Sequence, residues 1–166
     1  MLGMKINYLF SPMIIGLTVM MASTAVVVKP TRGEVVNGTL SRRLDALRIN
    51  QYTQVISSNP DDFDAYYKQG TTQAKLSNWQ GAIANYNQAI RINPKNANAY
   101  YQRGFARSEL NDYQGALEDL NQAIQLNPKH SEAYHRRGFV RERLNDADGA
   151  VSDYTRAVQT VLDKVR

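Results

Sequence analysis

Few side chains in this sequence are of a kind and spacing that could do chemistry. The two histidines, His130 and His135, stand five residues apart, with no cysteine anywhere in the 166 residues and no third ligand at metal spacing, so neither a structural nor a catalytic zinc site is indicated. Asp61, Asp62 and Asp64 crowd together, but they precede a helical pattern, where carboxylates cap and complement a helix N-terminus. A nucleophile motif and a glycine-rich phosphate loop beside a strand are both missing. The sequence therefore predicts no enzyme, no metal and no cofactor. What remains is the chemistry of guanidinium and carboxylate groups: Arg103 and Arg107, a basic run from Arg136 to Arg143, and the aspartates Asp119 and Asp153. Such groups either tie helices together or present charge to a ligand.

The elements that must position them are set by a period. Asn59-Pro60, Asn93-Pro94 and Asn127-Pro128 recur every 34 residues, and units begin at Phe63, Ala97 and Ser131. With these three residues as position 1, Tyr66, Tyr100 and Tyr134 fall at position 4, Gly70, Gly104 and Gly138 at position 8, Ala82, Ala116 and Ala150 at position 20, and Ala89, Ala123 and Ala157 at position 27. A period of this length means a solenoid of stacked hairpins. Glycine at position 8 lets two helices cross closely, which outweighs the roughly 1 kcal/mol it costs inside a helix. The pairs Ser77-Asn78, Asn111-Asp112 and Asn145-Asp146 join a residue that tolerates the left-handed region to one that caps the next helix. Each Asn-Pro pair then ends a second helix, because proline biases the residue before it away from the helical region.

The pattern resembles the tetratricopeptide repeat (TPR) family, over roughly residues 39–166. The resemblance implies an all-α, right-handed solenoid: three repeats, 63–96, 97–130 and 131–166, behind an N-terminal capping helix at 39–59. It also implies a concave groove lined by positions 2, 5, 9, 12 and 13 of the first helices. Carried over, the groove holds Tyr67, Thr71, Asn98, Tyr101, Phe105, Glu132, His135, Phe139 and Arg143 among its residues. That is an aromatic surface rimmed by both signs of charge, suited to a peptide with apolar anchors; alternatively Phe105 and Phe139 pack between adjacent first helices. The chaperone-binding subset of the family clamps a carboxylate with Lys, Asn, Asn, Lys and Arg, where this sequence has Tyr67, Thr71, Gln102, Glu132 and Arg136. No chaperone tail is expected. The implied function is a non-catalytic adaptor binding a protein or peptide; the alternative is a structural subunit that assembles through its convex face and C-terminal helix.

Comparison among the repeats gives the arginines a role. The two units with Arg at position 7 (Arg103, Arg137) have Asp at position 23 (Asp119, Asp153), whereas the unit with Gln69 has Asn85 there. Charge and neutrality change together, so Arg103 is expected to pair with Asp119 and Arg137 with Asp153, leaving Arg136 and Arg143 exposed.

The ends are different in character. Ile6 to Val28 carries no charge, between Lys5 and Lys29, with Ser23 and Ala25 placed as the −3 and −1 residues of a signal-peptidase site. Residues 1–28 are expected to be a cleaved export signal or an uncleaved membrane anchor; either places the repeats outside the cytoplasm unless Arg32, Arg42 and Arg43 hold the flank inside by the positive-inside bias. Pro30, Gly33 and Asn37-Gly38 mark 29–38 as a linker. In 40–58, Leu40, Leu44, Leu47, Tyr52, Val55 and Ile56 fall largely on one side of a helix. At the other end Val158, Val161, Leu162 and Val165 continue an apolar stripe, expected either to cover its own core or to pair with another subunit. The formal net charge of +5 is spread among residues of both signs, and no nucleic-acid ligand is expected.

Overall fold

The computed structural model describes residues 33–165. They form seven helices in chain order: α1 (Gly33–Ser58), α2 (Phe63–Lys75), α3 (Trp79–Ile92), α4 (Ala97–Glu109), α5 (Tyr113–Leu126), α6 (Ser131–Arg143) and α7 (Ala147–Val165). Among the described residues there is no strand, and the chain is an all-α solenoid in which α2–α3, α4–α5 and α6–α7 are helical hairpins.

Local chemistry sets the turns. Ser77, Asn111 and Asn145 take φ of 59°, 62° and 63°, a left-handed conformation that stops the first helix. The next residue caps the second: the side chains of Asn78, Asp112 and Asp146 accept from the backbone N–H of Gly81, Gly115 and Gly149. Asp62 and Asn96 cap α2 and α4 in the same way, and Asp64 stands in the first turn of α2, where a carboxylate complements the helix dipole.

The N-terminal helix corrects two expectations. α1 runs through Gly33–Ser58, 26 residues, so residues 33–38, read as linker, are helical. Helix elongation costs only local propensity once a nucleus exists, and the Asn37-Gly38 turn signal is overridden by the helix that follows it. The leucine stripe also faces the other way: α1 turns Ile49, Tyr52 and Ile56 inward, while Leu40, Leu44 and Leu47 are exposed at 52%, 53% and 59%. The reason lies in the repeat, because Leu44, Leu47 and Val55 sit at positions 16, 19 and 27, on the side where a second helix meets the first helix of its own hairpin, and the described residues include no such helix ahead of α1. Residues 1–32, including the uncharged run, lie outside the described residues. Among the described residues, no helix is long and apolar enough to cross a membrane.

Inside each hairpin the helices touch at position 8. A Cβ on Gly70 would lie 2.8 Å from the Tyr86 ring, one on Gly104 3.1 Å from both Asp119 Cβ and Leu120 Cγ, and one on Gly138 2.8 Å from the Tyr154 ring. The facing second helix is correspondingly buried: Ala82, Tyr86 and Ala89 in α3, and Ala116, Leu120 and Ala123 in α5, are fully enclosed.

A polar clamp runs beside each crossing. Arg103 donates from Nε and Nη2 to the two carboxylate oxygens of Asp119 at 2.9 and 2.5 Å, and Arg137 does the same to Asp153 at 2.8 and 2.6 Å. The sequence reading stopped at these pairs, and the clamp is larger. Arg107 and Arg141 reach the same aspartates at 2.9 and 3.0 Å and donate to the Gly115 and Gly149 carbonyls. The remaining nitrogen of Arg103 and of Arg137 crosses to the preceding hairpin, where Asn87 and Asn121 accept at 2.7 and 2.8 Å. The first hairpin builds a neutral version: Gln69 donates back to Thr53 Oγ1 at 2.8 Å and to the Ile49 carbonyl, and Asn85 donates to Gln73 at 2.7 Å.

Two outcomes are expected. Gly104→Leu overpacks the central crossing and should cost about 1 to 3 kcal/mol, read as a lower urea midpoint; a midpoint equal to the parent's would show that the crossing has room. Asp153→Asn alone leaves two half-buried guanidiniums short of their acceptor and should cost about 3 kcal/mol. Adding Arg137→Gln and Arg141→Gln recreates the neutral set of the first hairpin and should recover most of that loss. If the triple variant is as unstable as the sum of its parts, the clamp has no coupled energy.

Candidate functional site

The face built by the first helices α2, α4 and α6 carries the residues singled out from sequence, but not as a uniform row of open rings. At its N-terminal end Tyr67 stacks on Phe63, with centroids 5.7 Å apart, and tilts against Tyr86 at 5.9 Å. Burial pushes the Tyr67 phenol up from its ordinary pKa, opposed by a hydrogen bond with Gln102. Tyr86 behind it is pushed up to about 12, again chiefly by burial. Thr71 is turned inward, donating to the Tyr67 carbonyl at 2.9 Å and accepting from Tyr86.

In the middle, Tyr101 is half-buried between Phe105, at 6.5 Å, and the His130 ring, at 4.8 Å. Burial raises its pKa, while the nearby Arg136 lowers it. Phe105 is not an open anchor: Trp79 lies against it at 5.8 Å and the Arg136 guanidinium covers it at 3.7 Å from the ring centroid. The same guanidinium is 5.3 Å from the Phe139 ring and pairs with Glu109 at 3.1 Å. Arg136, expected to be exposed, is thus inserted between two first helices with 18% of its side chain accessible. Cation-π contact with the Phe105 and Phe139 rings and an ion pair with Glu109 hold it there. The signal was present in the sequence as aromatics at position 9 of two successive units with an arginine at position 6 between them.

Toward the C-terminal end the face opens. Glu132, His135, Val158, Val161 and Leu162 wall a largely apolar cleft of about 430 Å³. The α7 wall of this cleft was not part of the sequence-derived site. The His135 ring leans on Tyr154 at 5.4 Å. The Glu132 carboxyl is held below the usual carboxylate range, first by its own backbone N–H and then by the Ser131 hydroxyl and His130. His130 Nδ1 lies 3.2 Å from Glu132 Oε2, while its Nε2 is buried and has no hydrogen-bond partner among the described residues. Unlike Asp62 and Asn96, His130 gives its helix no side-chain cap. Asn98 stands in solvent, and Arg143, also exposed, donates to the Tyr113 hydroxyl at 3.1 Å. Among the described residues no cluster of His, Cys, Asp or Glu could hold a metal ion.

Residues 70–111 match a family model described as TPR repeat, and residues 97–130 match one described as tetratricopeptide repeat. No curated protein matches the sequence. A crystal structure of MamA aligns with a TM-score of 0.66 at 26% identity, covering 68% of this chain and 66% of that one, so the chain spans just under two thirds of that relative's length. A MamA fragment from Desulfovibrio magneticus RS-1 aligns at 0.67 with 21% identity over 78% of this chain and 71% of the other, a likeness of fold alone. The Arabidopsis OM64 TPR domain is 32% identical, with a TM-score of 0.58, over 59% of this chain and 81% of that domain. The matching families are repeat scaffolds for protein interaction, and none is an enzyme family. With the 34-residue period, the glycine crossings and the stacked hairpins, these matches make the chain a member of the tetratricopeptide repeat family.

Proposed function

We propose that this chain is a non-catalytic adaptor that holds a protein partner against its first-helix face, outside the cytoplasm or at a membrane. The observation that carries the reading is the open cleft between α6 and α7. Its apolar wall of Val158, Val161 and Leu162 offers a seat for an apolar side chain, and Glu132 at the rim supplies fixed negative charge. Because Phe105 is already covered by Arg136, the apolar anchors of a peptide are taken by Tyr101 and the cleft rather than by the row of rings. A groove of this kind fits an extended or helical segment with one or two apolar anchors and a basic residue. The export part of the reading rests on the uncharged run Ile6 to Val28.

The binding surface is tested by placing a photoreactive residue at Tyr101 in cells that carry the chain. One predominant crosslinked protein is expected, lost when Val158→Glu closes the cleft; crosslinks to many unrelated proteins, or to none, would remove the adaptor reading. Export is tested separately by fusing to Arg166 a reporter enzyme that works only outside the cytoplasm. Activity is expected, and a silent reporter places the repeats inside.

A further inference from the structure

The two end helices of the solenoid carry the same docking face. In α3 and α5, positions 21, 25 and 28 of the second helix face the first helix of the next unit. Ile90 and Ile124, at position 28, are covered in this way and each is 9% exposed. In α1 the face is Ile49, Thr53 and Ile56, and it seats α2: Thr53 Oγ1 donates to the Ile49 carbonyl and accepts from Gln69. In α7 it is Val151, Thr155 and Val158, and Thr155 Oγ1 likewise donates to the Val151 carbonyl. Nothing among the described residues seats there, and Val151 and Val158 are 65% and 60% exposed.

The likeness is specific to the two ends. Residues 49–56 read INQYTQVI and 151–158 read VSDYTRAV, whereas the internal segments IANYNQAI and LEDLNQAI have Asn at position 25. Partners follow the same division. The internal asparagines, Asn87 and Asn121, receive Arg103 and Arg137, while Thr53 receives Gln69, the glutamine at position 7. Thr155 therefore presents the acceptor that in this chain is matched by Gln69. Open space flanks it on both sides, the cleft at Val158 and Leu162 and a second, more polar one between Arg137 and Gln159.

From this we infer that the α7 end of one copy accepts helix α2 of a second copy in place of that copy's own α1, giving head-to-tail assembly. The exchange is like for like: Ile49, Thr53 and Ile56 give way to Val151, Thr155 and Val158. α1 is the exchangeable element, since its opposite face of Leu40, Leu44 and Leu47 is exposed. Because α1 is tethered to α2 by the four residues 59–62, it competes at an effective concentration on the order of millimolar. The isolated chain at low concentration is thus monomeric, and assembly follows crowding or release of α1. The contact is heterologous and does not close on itself, so it builds chains rather than a two-fold dimer.

The test uses two full-length variants in mild detergent. One carries Gln69→Cys with Ile49→Asp and Ile56→Asp, which detach α1; the other carries Thr155→Cys. The sequence has no cysteine of its own, so a short bis-maleimide joins only these sites. The heterodimer is expected at least tenfold above either homodimer, and at least tenfold lower when the second chain also carries Val151→Glu and Val158→Glu. A heterodimer no more abundant than the homodimers, or one indifferent to Val151 and Val158, overturns the proposal. So does one removed instead by Leu40→Gln, Leu44→Gln and Leu47→Gln, which would place the contact on the leucine face of α1. If circular dichroism shows that the first variant has lost its helices, the Gln69→Cys chain with α1 intact, at millimolar concentration, is read by the same criteria.

Discussion

A helical hairpin of this kind has more apolar surface than its two helices can cover for each other. Position 8 glycines bring the pair together so closely that a methyl group would strike the facing helix, and this enclosure leaves Ala82, Tyr86 and Ala89 without solvent contact. The outward side of each second helix stays apolar, and stability requires that something cover it. Within the solenoid that cover is the next first helix. Leu117 and Ile124 of α5 lie in one cluster with Ala133, Tyr134 and Val140 of α6. The requirement propagates to both ends, where it is met on α1 by α2, while among the described residues nothing meets it on α7.

Apolar contact alone does not say how the two helices of one hairpin are matched. The clamps at positions 7, 11 and 23 add a directional term, because a carboxylate with only 3% of its side chain accessible, as in Asp119 and Asp153, must be met by its arginines. Leaving such a charge unpaired is far more costly than the net gain from pairing it. The clamps therefore act mainly against wrong arrangements, and the first hairpin shows that neutral amides fill the same geometry.

Much of this was legible in the residues. The period gave the hairpins, the left-handed Ser77, Asn111 and Asn145 sat at the expected turns, and the covariation of positions 7 and 23 came from comparing three copies of one unit inside a single chain. What escaped was what a linear pattern does not encode. The stripe of Leu40, Leu44 and Leu47 has helical periodicity but carries no sign of which way it faces; that depends on a first helix, and the described residues hold none ahead of α1. Position rules put Phe105 in the groove, and only the geometry shows Arg136 lying across its face, because cation-π contact joins side chains 31 residues apart. The second arginine of each clamp was missed because covariation points to pairs, whereas a carboxylate has room for more than one donor.

The link between hairpins depends on one further pairing, and it separates this chain into two kinds of joint. Where position 25 is asparagine, the amide oxygen accepts from an arginine already committed to its own aspartate. The inter-hairpin bond then draws on a cation fixed within its own hairpin. Where position 25 is threonine, the hydroxyl proton is spent on its own helix carbonyl and only a lone pair faces outward. A neutral amide such as Gln69 satisfies that lone pair without bringing a charge that would need a carboxylate. The threonine joint thus lacks the charge-assisted bond of the asparagine joint, and neutral hydrogen bonds are roughly half as strong. Rigid joints inside and weaker ones at the ends are what a solenoid needs if its interior is to hold one register while an end helix can be exchanged.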